Sequence, residues 1–288
     1  MTDERIPVIY VSGLGRSGST LLDMVVSASD WVFSVGEIYR LEELKSIDIT
    51  CACGERMSVC PFWRHVEHFN IKNRVNLRDY RRVMNTIFNP FKRSVRYADH
   101  GEDGALFERV RNMTELPYIL DSSKDIGRLM ELDNNPWLKV YNISVIRDVK
   151  GTAYSFSSSQ KWGKAKSYWV TLGKWWLVNQ SLMRYLPERE DPSLTISYEE
   201  LCGNPQTTVK KLERFLEITI PSDYVEKIRT MQYHNIGGNP ITRPPKRHNF
   251  QDITYDAKWQ RELPSYKQAI TNILLGKANK RWVYGSSS

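Results

Sequence analysis

The chain has 288 residues, of which 41% are hydrophobic and 26% charged, and this composition is typical of a globular protein rather than a fibrous or disordered one. The formal net charge of +8 predicts an attraction for anions, but basic and acidic residues are interspersed, so we expect no nucleic-acid partner. No apolar run approaches the roughly 20 residues that cross a bilayer, and the polar first residues lack a signal-peptide apolar region. We therefore expect a cytoplasmic protein without an integral membrane segment.

Short apolar runs rich in β-branched residues predict strands, and mixed periodic stretches between them predict helices. The predicted strands cover residues 8–11, 31–35, 118–120, 140–146 and 194–196. The predicted helices cover residues 19–27, 77–88, 105–112, 127–134, 152–158, 168–185, 207–216 and 222–231. Because the strands are apolar on both faces, we expect an α/β fold of three layers, with a central, mainly parallel five-stranded sheet flanked by helices.

The polar, poorly patterned segment from Glu55 to Asp103 interrupts this rhythm and predicts a substrate-binding insertion or lid over residues 55–103. No linker divides the chain, so we expect a single domain over residues 1–285.

Three of the four cysteines, Cys51, Cys53 and Cys60, fall within ten residues. A structural zinc ion needs four ligands, and His65 and His68 are near in sequence, but the spacing lacks the paired CxxC of zinc ribbons. A redox-sensitive disulfide and simple packing around a loop are the alternatives, and the sequence leaves all three open.

The strongest functional signal is the segment Gly13–Leu22, between the first strand and the first helix. Its glycines let successive N–H groups point at an anion, and the helix adds the positive end of its dipole. The spacing from Gly13 to Gly18 matches the loop GxxxxGK[ST], but Ser19 stands where that loop has lysine, which argues against ATP or GTP hydrolysis. Arg16 is the only fixed cation of the loop. A plain glycine turn beside an arginine is the alternative interpretation.

The segment Gly15–Leu22 resembles the 5′-phosphosulfate loop of the sulfotransferase family that uses 3′-phosphoadenosine 5′-phosphosulfate (PAPS), in the arginine version similar to carbohydrate and tyrosylprotein sulfotransferases. The resemblance implies a P-loop-like fold, PAPS as the donor co-substrate and no metal. The donor-binding residues that it implies in this loop are Arg16, Ser17, Gly18, Ser19, Thr20 and Leu21.

A second anion site is predicted where the fourth strand ends, since ligands of open α/β sheets bind at the carboxyl ends of strands. Arg147 can form a fork to a phosphate there, and Ser155 can present a hydroxyl to the same side. The pair resembles the 3′-phosphate motif of the family, with Val149 where the family usually has proline. An ion pair of Arg147 with Asp148 or another acid is the alternative.

Later segments resemble further parts of the nucleotide site of the family. Tyr198 follows the fifth strand, and the turn-rich loop with Asn239, Arg243 and Lys246 resembles the late loop that closes over the 3′-phosphate. Ordinary turn chemistry is the alternative for each.

The resemblance implies in-line transfer of a sulfuryl group to a hydroxyl or amine, without a covalent intermediate. Arg16 and Lys124 are the expected catalytic cations, and Glu37, which follows the second strand, is the expected base because similar glutamates serve that role in arginine-loop members. An acid that satisfies backbone amides at a helix start is the alternative for Glu37, and His65 and His100 are fallback bases.

Two other functional classes remain open at this stage, namely a kinase or nucleotidase of the same fold and a non-catalytic nucleotide-binding module. We expect the acceptor to be a small molecule, glycan, lipid or peptide. The sequence predicts neither its identity nor the oligomeric state.

Overall fold

The computed structural model describes residues 4–66, 68–69, 101–158 and 166–285. Five parallel strands form one sheet in the order β2-β3-β1-β4-β5. The strands are β1 (Ile6–Gly13), β2 (Val32–Gly36), β3 (Tyr118–Lys124), β4 (Leu138–Ile146) and β5 (Ser193–Ser197). All five predicted strands and the parallel sheet are thereby confirmed.

Helices connect the strands and continue beyond the last one. They are α1 (Ser19–Val26), α2 (Leu41–Ser46), α3 (Gly101–Thr114), α4 (Ile126–Asp133), α5 (Val149–Ser158), α6 (Tyr168–Tyr185), α7 (Tyr198–Gly203), α8 (Pro205–Leu216), α9 (Tyr224–Thr230), α10 (Lys258–Glu262) and α11 (Ser265–Asn279). Short 3₁₀ turns cover Ile38–Arg40, Trp63–His65, Leu186–Glu188 and Pro240–Thr242, and a π-helical turn covers Lys280–Tyr284. In the described ranges, no helix combines the length and the apolar character that crossing a membrane requires.

Most predicted helices are confirmed within a few residues, and the predicted helix 77–88 lies outside the described residues. Helix α11 was not among the predicted helices. Its residues Ile273 and Leu274 are 83% and 63% exposed, so its apolar positions do not form the single stripe by which a helix is recognised.

Alternate residues of β1 enter two different hydrophobic cores. Val8 and Tyr10 pack on one face of the sheet and Ile9 and Val11 on the other, and all four are fully buried. The first core is completed by residues of α3, α4 and α6, and the second by residues of α1, α8 and α9. The sheet therefore lies between two helical layers, as its doubly apolar strands predicted.

The first part of the predicted insertion is integral to the fold. Met57, Cys60, Trp63 and Val66 all belong to the first core and are at most 4% exposed. Residues 70–100, the larger part of the predicted lid, lie outside the described residues, so the lid and the domain limits stay predictions.

Candidate active site

All five strands end at one edge of the sheet, because they are parallel. The residues that follow them line a single cavity of about 1510 Å³. Eleven of the thirteen predicted site residues line it, namely Arg16, Gly18, Ser19, Thr20, Leu21, Glu37, Lys124, Arg147, Ser155, Tyr198 and Asn239. The topology thus brings together residues that are up to 223 positions apart, from Arg16 to Asn239.

The loop between β1 and α1 takes its shape from residues in the left-handed region. Gly18 has φ of 91°, and a Cβ at this position would lie 2.6 Å from Cδ2 of Tyr198, so a larger residue would clash with the tyrosine ring. Arg16 has φ of 70° without being glycine, a conformation that costs an L-residue about 1–2 kcal/mol. Such conformations cluster at ligand-binding sites, where the surrounding structure maintains them.

Two predicted site residues do not line the cavity. The Ser17 residue is 1% exposed and does not line it. The guanidinium of Arg243 donates to the backbone oxygens of Thr50 (2.9 Å) and Gly237 (3.2 Å), so it braces the late loop. The side chains of Ser17 and Arg243 therefore do not contribute to the cavity wall, and the binding roles predicted for these two residues stay predictions.

Arg147 lies between the two predicted anion-binding turns. Its Nη1 donates to the backbone oxygen of Arg16 (3.3 Å), and its Nη2 donates to the backbone oxygen of Asp256 (3.0 Å). The guanidinium carbon lies 4.2 Å from the centre of the Tyr198 ring, which favours a cation–π contact. Nη2 of Arg147 also lies 3.7 Å from Oδ2 of Asp256, which fits the alternative left open by the sequence, an ion pair with Asp148 or another acid.

The turn after β4 is fastened to the end of α11. The backbone N–H of Val149 donates to Oδ1 of Asn279 (2.9 Å), and Nδ2 of Asn279 donates to Oδ2 of Asp148 (2.8 Å). A proline at position 149 would remove the first of these donors. The hydrogen bond to Asn279 therefore gives a physical reason why Val149 stands where the family usually has proline. No local signal in the sequence pointed to Asn279.

Glu37 and Lys124 meet at the centre of the cavity wall, where Nζ of Lys124 donates to Oε1 of Glu37. Their side chains are 14% and 15% exposed, so the pair is largely shielded from water. Lys124 also donates to the backbone oxygen of Ser122 (3.1 Å) and has φ of 72°. The backbone N–H of Glu37 donates to the oxygen of Ile236 (2.8 Å), which joins the end of β2 to the late loop. Glu37 thus presents its carboxylate at the cavity wall, which is the first requirement for a general base.

The structure describes one of the two fallback bases. His65 is exposed and does not line the cavity, and His100 lies outside the described residues.

Sequence reasoning missed two lysines of the cavity, Lys166 and Lys174. Partial burial lowers the pKa of Lys166, and the positive charges of Lys174 and Arg16 lower this pKa further. The cavity wall thus concentrates positive charge, as a polyanionic ligand requires. The basic run Lys161, Lys164 and Lys166 was the available signal, but it carries no motif.

A largely shielded carboxyl, that of Glu199, lies behind the turn that follows β4. Burial raises the pKa of Glu199 to about 7, although its carboxylate accepts the backbone N–H of Asp148 at 3.1 Å. Folding therefore keeps this group protonated into the neutral range, whereas an exposed glutamate would be ionised.

Comparisons with known proteins agree with this architecture. The family model described as "Sulfotransferase domain" matches residues 7–267. No curated protein sequence matches the chain. Among solved structures, the sulfotransferase domain from the Synechococcus PCC 7002 olefin synthase matches with a TM-score of 0.56 and 15% identity, covering 96% of each chain, which is a likeness of fold.

Two further structures match less closely. The sulfotransferase domain from the curacin biosynthetic pathway has a TM-score of 0.49 and 19% identity, covering 95% of this chain and 98% of that chain. Mouse sulfotransferase SULT7A1 complexed with PAP has a TM-score of 0.48 and 11% identity, covering 98% of this chain and 91% of that chain.

Proposed function

Since this chain belongs to the sulfotransferase domain family and is an enzyme that transfers a sulfuryl group, we propose that its donor is PAPS, bound between the loops that follow β1 and β4. Family membership favours this class over the kinase, the nucleotidase and the non-catalytic module. The proposed sites are the 5′-phosphosulfate at the loop Arg16–Leu21 and the 3′-phosphate at Arg147 and Ser155.

The contact between Arg147 and the backbone of Arg16 carries this proposal. PAPS has anionic groups at both ends of one adenosine, so its two anion sites must face one cavity at close range. Arg16 and Arg147 line the same cavity, and a hydrogen bond of 3.3 Å joins their loops. Two anion sites on opposite sides of the molecule would have excluded a single nucleotide.

The residues present fit such a donor. Nε of Arg147 is buried and has no hydrogen-bond partner in the described part of the chain, and the residue carries a full positive charge at a strand end. The cavity of about 1510 Å³ exceeds the roughly 300–1,000 Å³ of ordinary ligand pockets, which leaves room for an acceptor beside the nucleotide.

The same geometry suggests the roles of the catalytic residues. When bound, the donor supplies an activated sulfuryl group whose leaving group is a phosphate. Glu37 takes the proton of the acceptor hydroxyl or amine at its carboxylate, since it lies in the wall of the cavity. Lys124 holds that carboxylate in place and presents its ammonium to the sulfuryl oxygens. Arg16 and the amides at the start of α1 stabilise the charge that develops on the leaving phosphate.

The acceptor class, a cytoplasmic location and the absence of a nucleic-acid partner stay predictions from the sequence. The cationic wall suits the donor and does not select among small molecules, glycans, lipids and peptides as acceptors.

Calorimetric titration of the full chain with adenosine 3′,5′-bisphosphate (PAP), AMP and ATP tests the donor. We expect PAP to bind at least tenfold more tightly than AMP, because only PAP presents a 3′-phosphate to Arg147. Transfer of ³⁵S from labelled PAPS to panels of glycans, phenols, peptides and lipids then tests the reaction. Equal affinity for PAP and AMP, with tighter binding of ATP and magnesium, would contradict the proposal.

A further inference from the structure

Four sulfur and nitrogen atoms from distant parts of the chain meet beside the late loop. Cys51, Cys53, Cys60 and His234 each direct one potential ligand atom to a common point, and these atoms all lie within 4.8 Å of one another. Cys51 and Cys60 are fully buried, whereas Cys53 and His234 are partly exposed. The histidine comes from far along the chain, and His65 and His68, which are closer in sequence, are exposed and do not belong to the cluster.

Three of the six distances among these atoms are close to those of a tetrahedral metal site, and the other three are at most 4.8 Å. With Zn–S near 2.3 Å and Zn–N near 2.0–2.1 Å, tetrahedral zinc places two sulfurs about 3.8 Å apart and a sulfur and a nitrogen about 3.6 Å apart. Sγ of Cys53 lies 3.7 Å from Sγ of Cys60. Nδ1 of His234 lies 3.3 Å from Sγ of Cys60 and 3.8 Å from Sγ of Cys51.

Backbone hydrogen bonds hold two of the cysteines in turns beside the histidine. The N–H of Gly54 donates to the oxygen of Cys51 (3.0 Å), and the N–H of Arg64 donates to the oxygen of Cys60 (3.2 Å). Contacts around the ligands of this kind orient them toward a metal. The His234 ring is stacked on Phe62, with ring centres 5.5 Å apart, which fixes the direction of Nδ1.

A disulfide or simple packing explains less of this arrangement. The cysteines are free thiols, and a disulfide would join two sulfurs and leave the third cysteine and the histidine without a role. Plain packing does not require three thiols to converge on one imidazole nitrogen. We propose that Cys51, Cys53, Cys60 and His234 bind one structural zinc ion. The four protein ligands complete the tetrahedron, so the site has no open position for catalysis.

The ion would fasten the segment 51–63 to the loop that carries the active-site wall. Three hydrogen bonds already join these two parts: Ala52 N–H to the oxygen of Asn235 (3.0 Å), Trp63 Nε1 to the oxygen of His234 (2.5 Å), and Arg247 Nη1 to the oxygen of Ala52 (3.1 Å). Two residues after His234, the oxygen of Ile236 accepts the N–H of Glu37. The zinc site therefore determines where the late loop sits against the proposed base.

The test is the metal content of the full chain, purified without a polyhistidine tag and measured by inductively coupled plasma mass spectrometry. We expect one zinc per chain in the native protein. His234→Ala and Cys53→Ser should each lose most of it. Cys202→Ser, which removes the cysteine outside the cluster, and His65→Ala, which removes an exposed neighbouring histidine, should keep it.

Two measurements on the native chain keep the test valid if the ligand variants fail to fold. Replacement of the metal by cobalt should give the thiolate-to-cobalt charge-transfer band and intense d–d bands of a tetrahedral site. Alkylation of thiols should release zinc in proportion to the cysteines modified, as detected with a chromogenic chelator.

The remaining outcomes overturn the proposal. A disulfide would be indicated if the protein contained no metal and two of its thiols reacted with the alkylating agent only after a reductant was added. Metal-free protein with all four cysteines alkylatable after unfolding would indicate packing. Iron or copper in place of zinc would contradict the identity of the ion. Nucleotide binding is measured separately, so a failure of the zinc site leaves the assignment of the donor untouched.

Discussion

Nη1 of Arg147 donates a hydrogen bond of 3.3 Å to the backbone oxygen of Arg16, across the two strands β1 and β4 that lie side by side in the sheet. The contact ties the turn after one strand to the loop after the other. It holds the two proposed anion sites at a set separation before any ligand arrives, which reduces the ordering cost of binding.

Replacement of Arg147 by alanine should weaken PAP binding much more than AMP binding. A hydrogen bond to a charged group contributes about 1.5–3 kcal/mol, so we expect a loss of roughly 10- to 150-fold for PAP. AMP lacks the 3′-phosphate and should lose less than threefold. Calorimetric titration of both nucleotides measures the difference, and the PAP-to-AMP ratio corrects for general effects on the fold.

Arg111→Ala, a change at an exposed arginine of α3, is the matched control and should keep the native preference for PAP. A parallel loss for PAP and AMP in Arg147→Ala would assign the arginine to the fold and not to the 3′-phosphate.

Replacement of Gly18 by alanine should damage the phosphate loop by steric overlap with Tyr198. A second glycine with positive φ, Gly54, has φ of 103° and nothing within 4 Å of an added Cβ, so Gly54→Ala is the matched control for backbone strain alone. We expect Gly54→Ala to cost about 1–2 kcal/mol of unfolding free energy. Gly18→Ala should cost more and also weaken PAP binding, as measured by urea denaturation and titration. Equal effects of the two changes would show that the ring contact is unimportant.

Replacement of Glu37 by glutamine should slow transfer and leave nucleotide binding nearly intact. The amide keeps the shape of the side chain but accepts no proton, and a general base contributes about 10²–10⁴-fold to rate. Steady-state transfer of ³⁵S, with PAP affinity measured in parallel, separates the two effects. Glu43→Gln, at an exposed acid of the next helix, should keep the native rate. Native activity in Glu37→Gln would exclude it as the base.

Replacement of Glu199 by glutamine should stabilise the protein at alkaline pH. Burial raises the pKa of Glu199 to about 7 from an ordinary value of 4.5. Between these two values the folded state retains a proton that the unfolded state has lost, so the contribution of Glu199 to stability falls as pH rises through this window. Above about pH 7 the full penalty of ionisation is present, on the order of 3 kcal/mol.

Urea denaturation of the native chain and of Glu199→Gln at pH 5 and pH 8 measures this effect. The variant should gain stability relative to the native chain between the two pH values. Glu190→Gln, which changes an exposed glutamate, should show no such gain. A difference between Glu199→Gln and the native chain that is the same at both pH values would contradict the prediction.

The sequence alone was sufficient for the sheet, for the glycine-rich loop after β1 and for the order of the turns that meet at one edge of the sheet. Each of these depends on neighbouring residues. The burial of Val8, Ile9, Tyr10 and Val11 on alternate faces needs only a strand that is apolar on both faces. The glycine-rich turn that follows the strand lies within one loop. Because parallel strands end at one edge, the prediction that Arg16 and Arg147 share a site followed from the fold class.

The tertiary structure alone decided which side chains face the cavity and which distant groups meet. Arg243 turns to backbone oxygens, Lys166 joins the cavity wall, and Nδ1 of His234 lies 3.8 Å from a cysteine sulfur 183 positions earlier. Local sequence does not encode such contacts, because the direction of a side chain in a loop depends on the path of the whole chain around it. Sequence spacing could therefore not identify His234 as the fourth member of the cysteine cluster. Its position follows from the pairing of Ile236 with Gly36 at the end of β2.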